Sequence, residues 1–290
     1  MISVPIAVNN GYFKPQLELL WFNHKTTYGE DLARQKLCAV IVKRNTVAEQ
    51  AKDVCEWARD IPHFMVDAYF DVRTDLMKEE YLPINIQLGL SQVLAVFDDE
   101  EVIEVLDCDM FHFEPHPELN LEDNEVIVTD LYENWHLRSL TDHRNVIEPF
   151  FKNGGDYYNG GFVPIIGKAK TFKTLLPDWI ELHKLIVDTQ SDGNLQWWAG
   201  MYALQAACEN NAVRMRAMDL CYIPSLNDLT ENHYIAHYSV DQKFNKKTWP
   251  TIDVGSFEDN KFYDRVLQWM RHEENVARGR VAALVTEMAR

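Results

Sequence analysis

With 290 residues, 47% of them hydrophobic and 25% charged, the chain has the make-up of an ordinary folded soluble protein, and this length suits a single large core. Its formal net charge of −17 opposes non-specific attachment to nucleic acid, which needs a basic surface against the phosphates; only local basic stretches such as 243–247 escape that exclusion. No apolar run approaches a membrane span, the first residues lack the pattern of a signal peptide, and the 5 cysteines are scattered, partly in apolar segments (Cys38, Cys108, Cys221), with neither a disulfide framework nor a zinc spacing. A reducing, cytoplasmic setting is expected.

Residues 2–8 read as a first strand, stopped by Asn9, Asn10 and Gly11, a stretch that is either a plain turn or part of a binding loop. A helix is expected over 14–28, with Leu17, Leu20, Trp21 and His24 along one face, then a short strand over 38–42, a helix over 47–59 and a third strand over 64–67. Pro83 suits a first helical turn, and 84–97 carries apolar residues on more than one face, as a buried helix does. The next strand, Val102 to Asp109, ends in two aspartates one residue apart. Side chains at i and i+2 of a strand point the same way, so Asp107 and Asp109 are expected to project together while Cys108 faces the opposite side. Paired carboxylates select a hard cation, Mg²⁺ or Mn²⁺, of the kind that usually holds a substrate's phosphates. The alternation of strand and helix up to residue 113 predicts an α/β protein with a mainly parallel central sheet, helices on its faces and ligands at the carboxyl ends of the strands.

Beyond residue 120 a strand is expected over 126–129, then a polar and aromatic stretch through Trp135. A glycine-rich loop at 153–161 leads into the apolar segment 162–166, with helices over 169–187 and 195–210. The last turns, 271–290, alternate arginines with apolar residues as an amphipathic helix would. No internal repeat or linker interrupts the chain, so one domain is the economical reading.

The order of these features resembles the GT-A (Rossmann-like) glycosyltransferases. More narrowly, three segments resemble the acceptor half of the hydroxyproline O-arabinosyltransferase and peptidyl-serine galactosyltransferase group: Asn159-Gly160-Gly161-Phe162-Val163-Pro164-Ile165-Ile166-Gly167-Lys168, Leu176-Pro177-Asp178-Trp179, and Gln196-Trp197-Trp198-Ala199-Gly200-Met201-Tyr202-Ala203. The late Ile235-Ala236-His237-Tyr238 resembles that group's His-Tyr segment. The chain departs from the group at Gly200, where an acidic residue is expected just before Met-Tyr-Ala, and it shows none of the membrane anchors of the plant enzymes.

The resemblance implies one GT-A domain over 1–290, with a nucleotide-sugar-binding half (1–115), an acceptor half (116–250) and a C-terminal helical segment (251–290). It implies a UDP-sugar donor and a metal, Mn²⁺ or Mg²⁺, held by Asp109, by Asp107 through water or ribose, and by His237. Mn²⁺ tolerates such a mixed carboxylate and imidazole set better than Mg²⁺ does. The nucleotide is expected over Val8, Asn10, Tyr12 and Asp67. Arg73 and Lys243 serve either the diphosphate or solvent. Trp135, Asn159, Gly160, Gly161 and Trp197 are expected to meet the acceptor, with Trp198 in the core. Asp192 is the first candidate for a base, or else a helix N-terminal aspartate; a retaining enzyme needs no such base. Three functions stay open: transfer of a pentose or galactose-like sugar to a hydroxyl of a glycan or protein, a viral or phage transferase acting on hydroxymethylated DNA bases in the host cytoplasm, and a non-catalytic nucleotide-sugar-binding protein.

Overall fold

The computed structural model describes residues 1–8, 13–43, 60–67, 83–129, 148–151, 162–189, 196, 198–223, 228–238 and 261–288. Ten strands are described: β1 (Ile2–Val8), β2 (Ala39–Val42), β3 (His63–Val66), β4 (Val102–Asp107), β5 (Met110–His112), β6 (Glu125–Thr129), β7 (Phe162–Lys168), β8 (Arg214–Met218), β9 (Cys221–Tyr222) and β10 (Ile235–His237). The helices are α1 (Lys14–Tyr28), α2 (Glu30–Lys36), α3 (Ile84–Val93), α4 (Ala169–Thr189), α5 (Ala199–Asn210) and α6 (Lys261–Met288).

Seven strands form one sheet in the order β3-β2-β1-β4-β7-β6-β8. Strands β3, β2, β1 and β4 pair in parallel, as do β6 and β8, while β7 runs against both neighbours. The expected mainly parallel sheet is present, with its single reversed strand in the interior. Inner strands read as near-continuous apolar runs because both faces are covered: every residue of β2 and β6 is buried, whereas the edge strand β8 is partly exposed.

Helix α3 approaches the sheet through Gly89. A Cβ there would stand 3.0 Å from Ile6 Cγ2, 3.1 Å from Val42 Cγ2 and 3.3 Å from Val40 Cγ1, so the missing side chain sets how close this helix lies to β1 and β2. The expected helix over 84–97 is shorter than its apolar pattern, closing at Val93 and tightening into a 3₁₀ turn at Leu94–Val96. Helix α4 buries Phe172, Leu175, Leu176, Trp179, His183, Ile186 and Val187, the three- and four-residue spacing of a single apolar face. Pro177 lies on its exposed side, where the carbonyl freed by the lost helical bond can reach water. The expected helix over 195–210 is described from Ala199 as α5, and the expected helix over 47–59 lies outside the described residues.

A second, three-stranded sheet has the order β5-β10-β9, with β10 antiparallel to β5 and parallel to β9. It carries its own aromatic core. Phe111, Tyr222, Tyr238, Phe262, Tyr263, Val266 and Trp269 pack with Leu19 of α1, and the Phe111 and Phe262 rings stack at 5.4 Å. Helix α6 is thereby seated on the small sheet. Lys261 pairs with Glu114 at 2.5 Å and Arg265 donates to the carbonyl of Phe113 at 3.3 Å, fixing the start of the helix on the chain that leaves β5. The four described cysteines, Cys38, Cys108, Cys208 and Cys221, are free thiols. No described helix is long and apolar enough to cross a membrane.

Candidate active site

The two sheets meet at the end of β4. Pairing with β1 runs as far as Ile6 and Asp107, and pairing with β7 stops at Val105 and Ile165, so the backbone beyond Asp107 is released from the large sheet. It turns at Cys108 and Asp109 and enters β5, which pairs with β10. This corrects the expected strand, which ran on through Asp109. The pleat does not align the two aspartates; the turn does, because the chain changes partner sheet between them. Cys108 faces away and donates its thiol to the carbonyl of Ile6 at 3.1 Å, anchoring the turn on β1.

The antiparallel register then delivers the histidine. Met110 lies opposite His237, and the Tyr238 amide donates to the Asp109 carbonyl at 3.1 Å, which sets His237 beside the turn. Its Nε2 lies 3.2 Å from Asp109 Oδ1 and 3.8 Å from Asp107 Oδ2. One donor atom from each of the three residues falls within 4.8 Å of the others. Asp109 and His237 are buried, whereas the Asp107 side chain is 32% exposed, so the cluster opens toward solvent on the Asp107 side. Adjacent corners of an octahedral shell with bonds of about 2.1–2.6 Å are roughly 3.0–3.7 Å apart; the 3.2 Å spacing of His237 and Asp109 lies in that range, and the partly exposed Asp107, at 3.8 Å from His237, would close in around a hard divalent ion. Three protein donors on one side leave corners for a ligand's oxygens. Two carboxylates and one imidazole are a set that Mn²⁺ accepts.

The other expected site residues divide into two groups. Val8 and Asp67 lie at the carboxyl edge of the sheet, at or just past the ends of β1 and β3; Val8 is level with Val42 and two residues beyond Ile6, the partner of Asp107. Asp67 is exposed and paired with Lys43 at 3.2 Å, a cation just past β2 that the sequence pattern did not single out. Only the parallel register of β2 and β3 places Lys43 on this edge. Asn10, Tyr12, Arg73, Trp135, Asn159, Gly160, Gly161, Asp192, Trp197 and Lys243 lie outside the described residues. Trp198 is partly buried against the main core, as expected.

The glycine that breaks the group pattern has a packing reason. A Cβ on Gly200 would stand 3.0 Å from both the Gln87 amide and His183 Cε1, and its carbonyl accepts from Trp179 Nε1 at 2.7 Å. A side chain here would require the Gln87 and His183 side chains to give by a few tenths of an ångström at this crossing of α3, α4 and α5. The His183 ring, held against the Gln87 amide at 3.1 Å, is pushed down to a pKa of about 3 by burial and is therefore neutral.

No family model matches the chain, and no curated protein matches it in sequence. Solved structures do. An active-site mutant of LgtC, whose wild-type form is described as a galactosyltransferase, is 12% identical with a TM-score of 0.51, covering 82% of this chain and 87% of that one. The bifunctional glycosyltransferase WbbM in its apo form is 11% identical with a TM-score of 0.50, covering 92% of this chain and 49% of that one, so the chain spans about half the length of WbbM. At such identities the likeness is one of fold. The chain has the GT-A fold of these glycosyltransferases, a mostly parallel seven-stranded sheet flanked by helices, with the Asp107, Asp109 and His237 cluster at the carboxyl end of β4.

Proposed function

We propose that the protein is a divalent-metal-dependent glycosyltransferase that moves a sugar, pentose or galactose-like, from a UDP-sugar to a hydroxyl group of a glycan or protein. The observation that carries this reading is the convergence of Asp107, Asp109 and His237 within 4.8 Å at the carboxyl edge of a GT-A sheet. The choice of sugar rests on the resemblance to the hydroxyproline O-arabinosyltransferase and peptidyl-serine galactosyltransferase group.

In this reading Asp109 and His237 hold Mn²⁺ directly and Asp107 acts through water or the ribose. When bound, the ion supplies Lewis-acid stabilisation of the negative charge that grows on the diphosphate as the glycosidic bond breaks. The chain's own part is to orient the donor. Val8, at the end of β1, and Asp67, just past β3, are assigned to the base and ribose together with Asn10 and Tyr12, and Arg73 and Lys243 are assigned to the diphosphate. Trp135, Asn159, Gly160, Gly161 and Trp197 are assigned to the acceptor. Asp192 is the assigned base if the anomeric configuration is inverted.

The test is a screen of UDP-sugars for donor hydrolysis and transfer with and without Mn²⁺. Release of UDP from one donor, dependent on the ion and abolished in Asp109→Asn, is expected. Metal-independent turnover, or a preference for another nucleotide, refutes the reading. Adding hydroxymethylated DNA as one acceptor arm separates transfer to glycan or protein from transfer to modified bases.

A further inference from the structure

Three residues before the Asp107 turn, β4 buries a second acidic group. Glu104 is 0% exposed, faces Ser3 across the β1 pairing, and is ringed by donors. Its Oε2 lies 2.9 Å from Ser3 Oγ, 2.9 Å from His112 Nε2 and 3.0 Å from His116 Nε2, while Ser3 Oγ is itself 3.1 Å from His116 Nε2. Oε1 accepts from the Tyr234 hydroxyl. The rings of His24 and Tyr28 close the far side, His24 at 5.3 Å from His112 and Tyr28 at 5.3 Å from His116, and the Tyr28 hydroxyl accepts from the His116 amide at 2.8 Å. The donor assignment at the Asp107 site uses none of these groups.

A carboxylate taken fully out of water needs compensating charge. Among the described residues the partners within ion-pair range of Glu104 are His112 and His116. Both histidines turn Nε2 toward Glu104 Oε2, at 2.9 and 3.0 Å, and an imidazole nitrogen is a common metal ligand. Two imidazole nitrogens aimed at one carboxylate oxygen form a converged nitrogen and oxygen donor set.

We propose that Glu104, His112 and His116 form a structural Zn²⁺ site, with Ser3 Oγ at the fourth corner. Zinc takes four ligands tetrahedrally with bonds of about 2.0–2.1 Å to imidazole and carboxylate, which sets neighbouring donors roughly 3.3 Å apart. The observed 2.9–3.1 Å separations expand to that size with shifts of a few tenths of an ångström. Three residues separate the histidines, His-x₃-His, a spacing found in zinc sites, and Glu104 reaches them from the adjoining strand. Side-chain exposures of 0%, 0% and 5% for Glu104, His112 and His116 leave no approach for a substrate, so the role is structural. Such an ion fastens β1, β4, β5 and the chain after β5, and through Tyr234 the segment entering β10. These are the elements that bring Asp107, Asp109 and His237 together, although the zinc site stands whether or not the protein transfers sugars.

The test is metal analysis of the purified full-length chain. One zinc per chain is expected to survive gel filtration and to persist in an Asp107→Asn, Asp109→Asn, His237→Ala triple variant, and to be lost in His112→Asn, His116→Asn. Because that double variant could fail to fold, the wild-type chain is also exchanged with Co²⁺. Intense visible absorption from a tetrahedral ion at one equivalent, unchanged in the triple variant, supports the site. Less than half an equivalent of Zn²⁺ or Co²⁺ after reconstitution, a weak octahedral spectrum, or loss of the ion in the triple variant overturns it.

Discussion

The neutral, buried His183 makes a quantitative statement about stability. In the folded chain burial pushes its pKa from the ordinary 6.5 down to about 3, so the unfolded chain binds a proton at pH values where the folded chain does not. The sign follows: with the folded value depressed, the stability is fully present above pH 6.5 and is lost as pH falls below it, until the folded pKa is reached. At pH 5.5 the unfolded imidazole carries roughly 0.9 proton and the folded one almost none, and integration from pH 8 gives a loss of about 1.4 kcal/mol. A pH of 5.5 also stays above the isoelectric point near 5.0, so the chain keeps net negative charge. Urea unfolding followed by tryptophan fluorescence at pH 8.0 and 5.5, in wild type and His183→Gln, isolates the effect as a difference of differences. The variant is expected to be less stable at pH 8.0 through altered packing at the Gln87 and Gly200 crossing, yet to lose about 1.4 kcal/mol less between the two pH values. His24, pushed down to about 2 by burial and then by the nearby His112 and His116, remains in both proteins and cancels. Parallel pH dependences in the two proteins would refute the argument that His183 is excluded from water.

Asp109→Asn removes one ligand charge at nearly constant volume and is expected to abolish Mn²⁺-dependent UDP binding in calorimetry with the unfolding midpoint kept; binding unchanged from wild type counts against the metal assignment. Gly89→Val forces side-chain atoms into the contact with Ile6, Val40 and Val42, and a loss of about 1–3 kcal/mol is expected in urea unfolding, whereas an unchanged midpoint would mean that α3 does not lie that close. Phe262→Ala empties the stack on Phe111, with an expected cost of about 3–5 kcal/mol; a loss below about 1 kcal/mol would mean that α6 is not seated on the small sheet.

Long, strongly patterned elements could be read from the sequence. Residues 2–8 and 14–28 form β1 and α1 with the expected bounds, and the apolar run into Asp107 forms β4. Strand β7 was legible as an apolar run but not as the reversed strand, since direction depends on where the preceding chain travels and not on local pattern. Strands β9 and β10 have two and three residues, too few for a period to show. In β8 the polar Arg216 is held by Glu125 through paired contacts of 2.9 Å, a tertiary reason for an arginine in a strand that no local rule supplies. His237 entered through resemblance alone; its position beside Asp109 depends on pairing between β5 and β10, a contact between segments 127 residues apart. Glu104, His112 and His116 went unread for a related reason. A search for zinc spacing looks first to cysteines, and Glu104 shows its partners only once β4 and the chain around β5 are folded together.

The change of sheet between Asp107 and Asp109 gives this corner of the molecule the character of a clasp. In an unfolded chain the two aspartates still lie side by side, but recruiting His237 to the same ion would mean closing a loop of roughly 130 residues against chain entropy. The folded chain has already met that cost through the β5 and β10 pairing. The imidazole's share of any ion's affinity is therefore available to the folded state alone, and an ion bound there acts as a removable cross-link between the turn after β4 and the distant strand β10, tightening with correct assembly and letting go when β10 detaches.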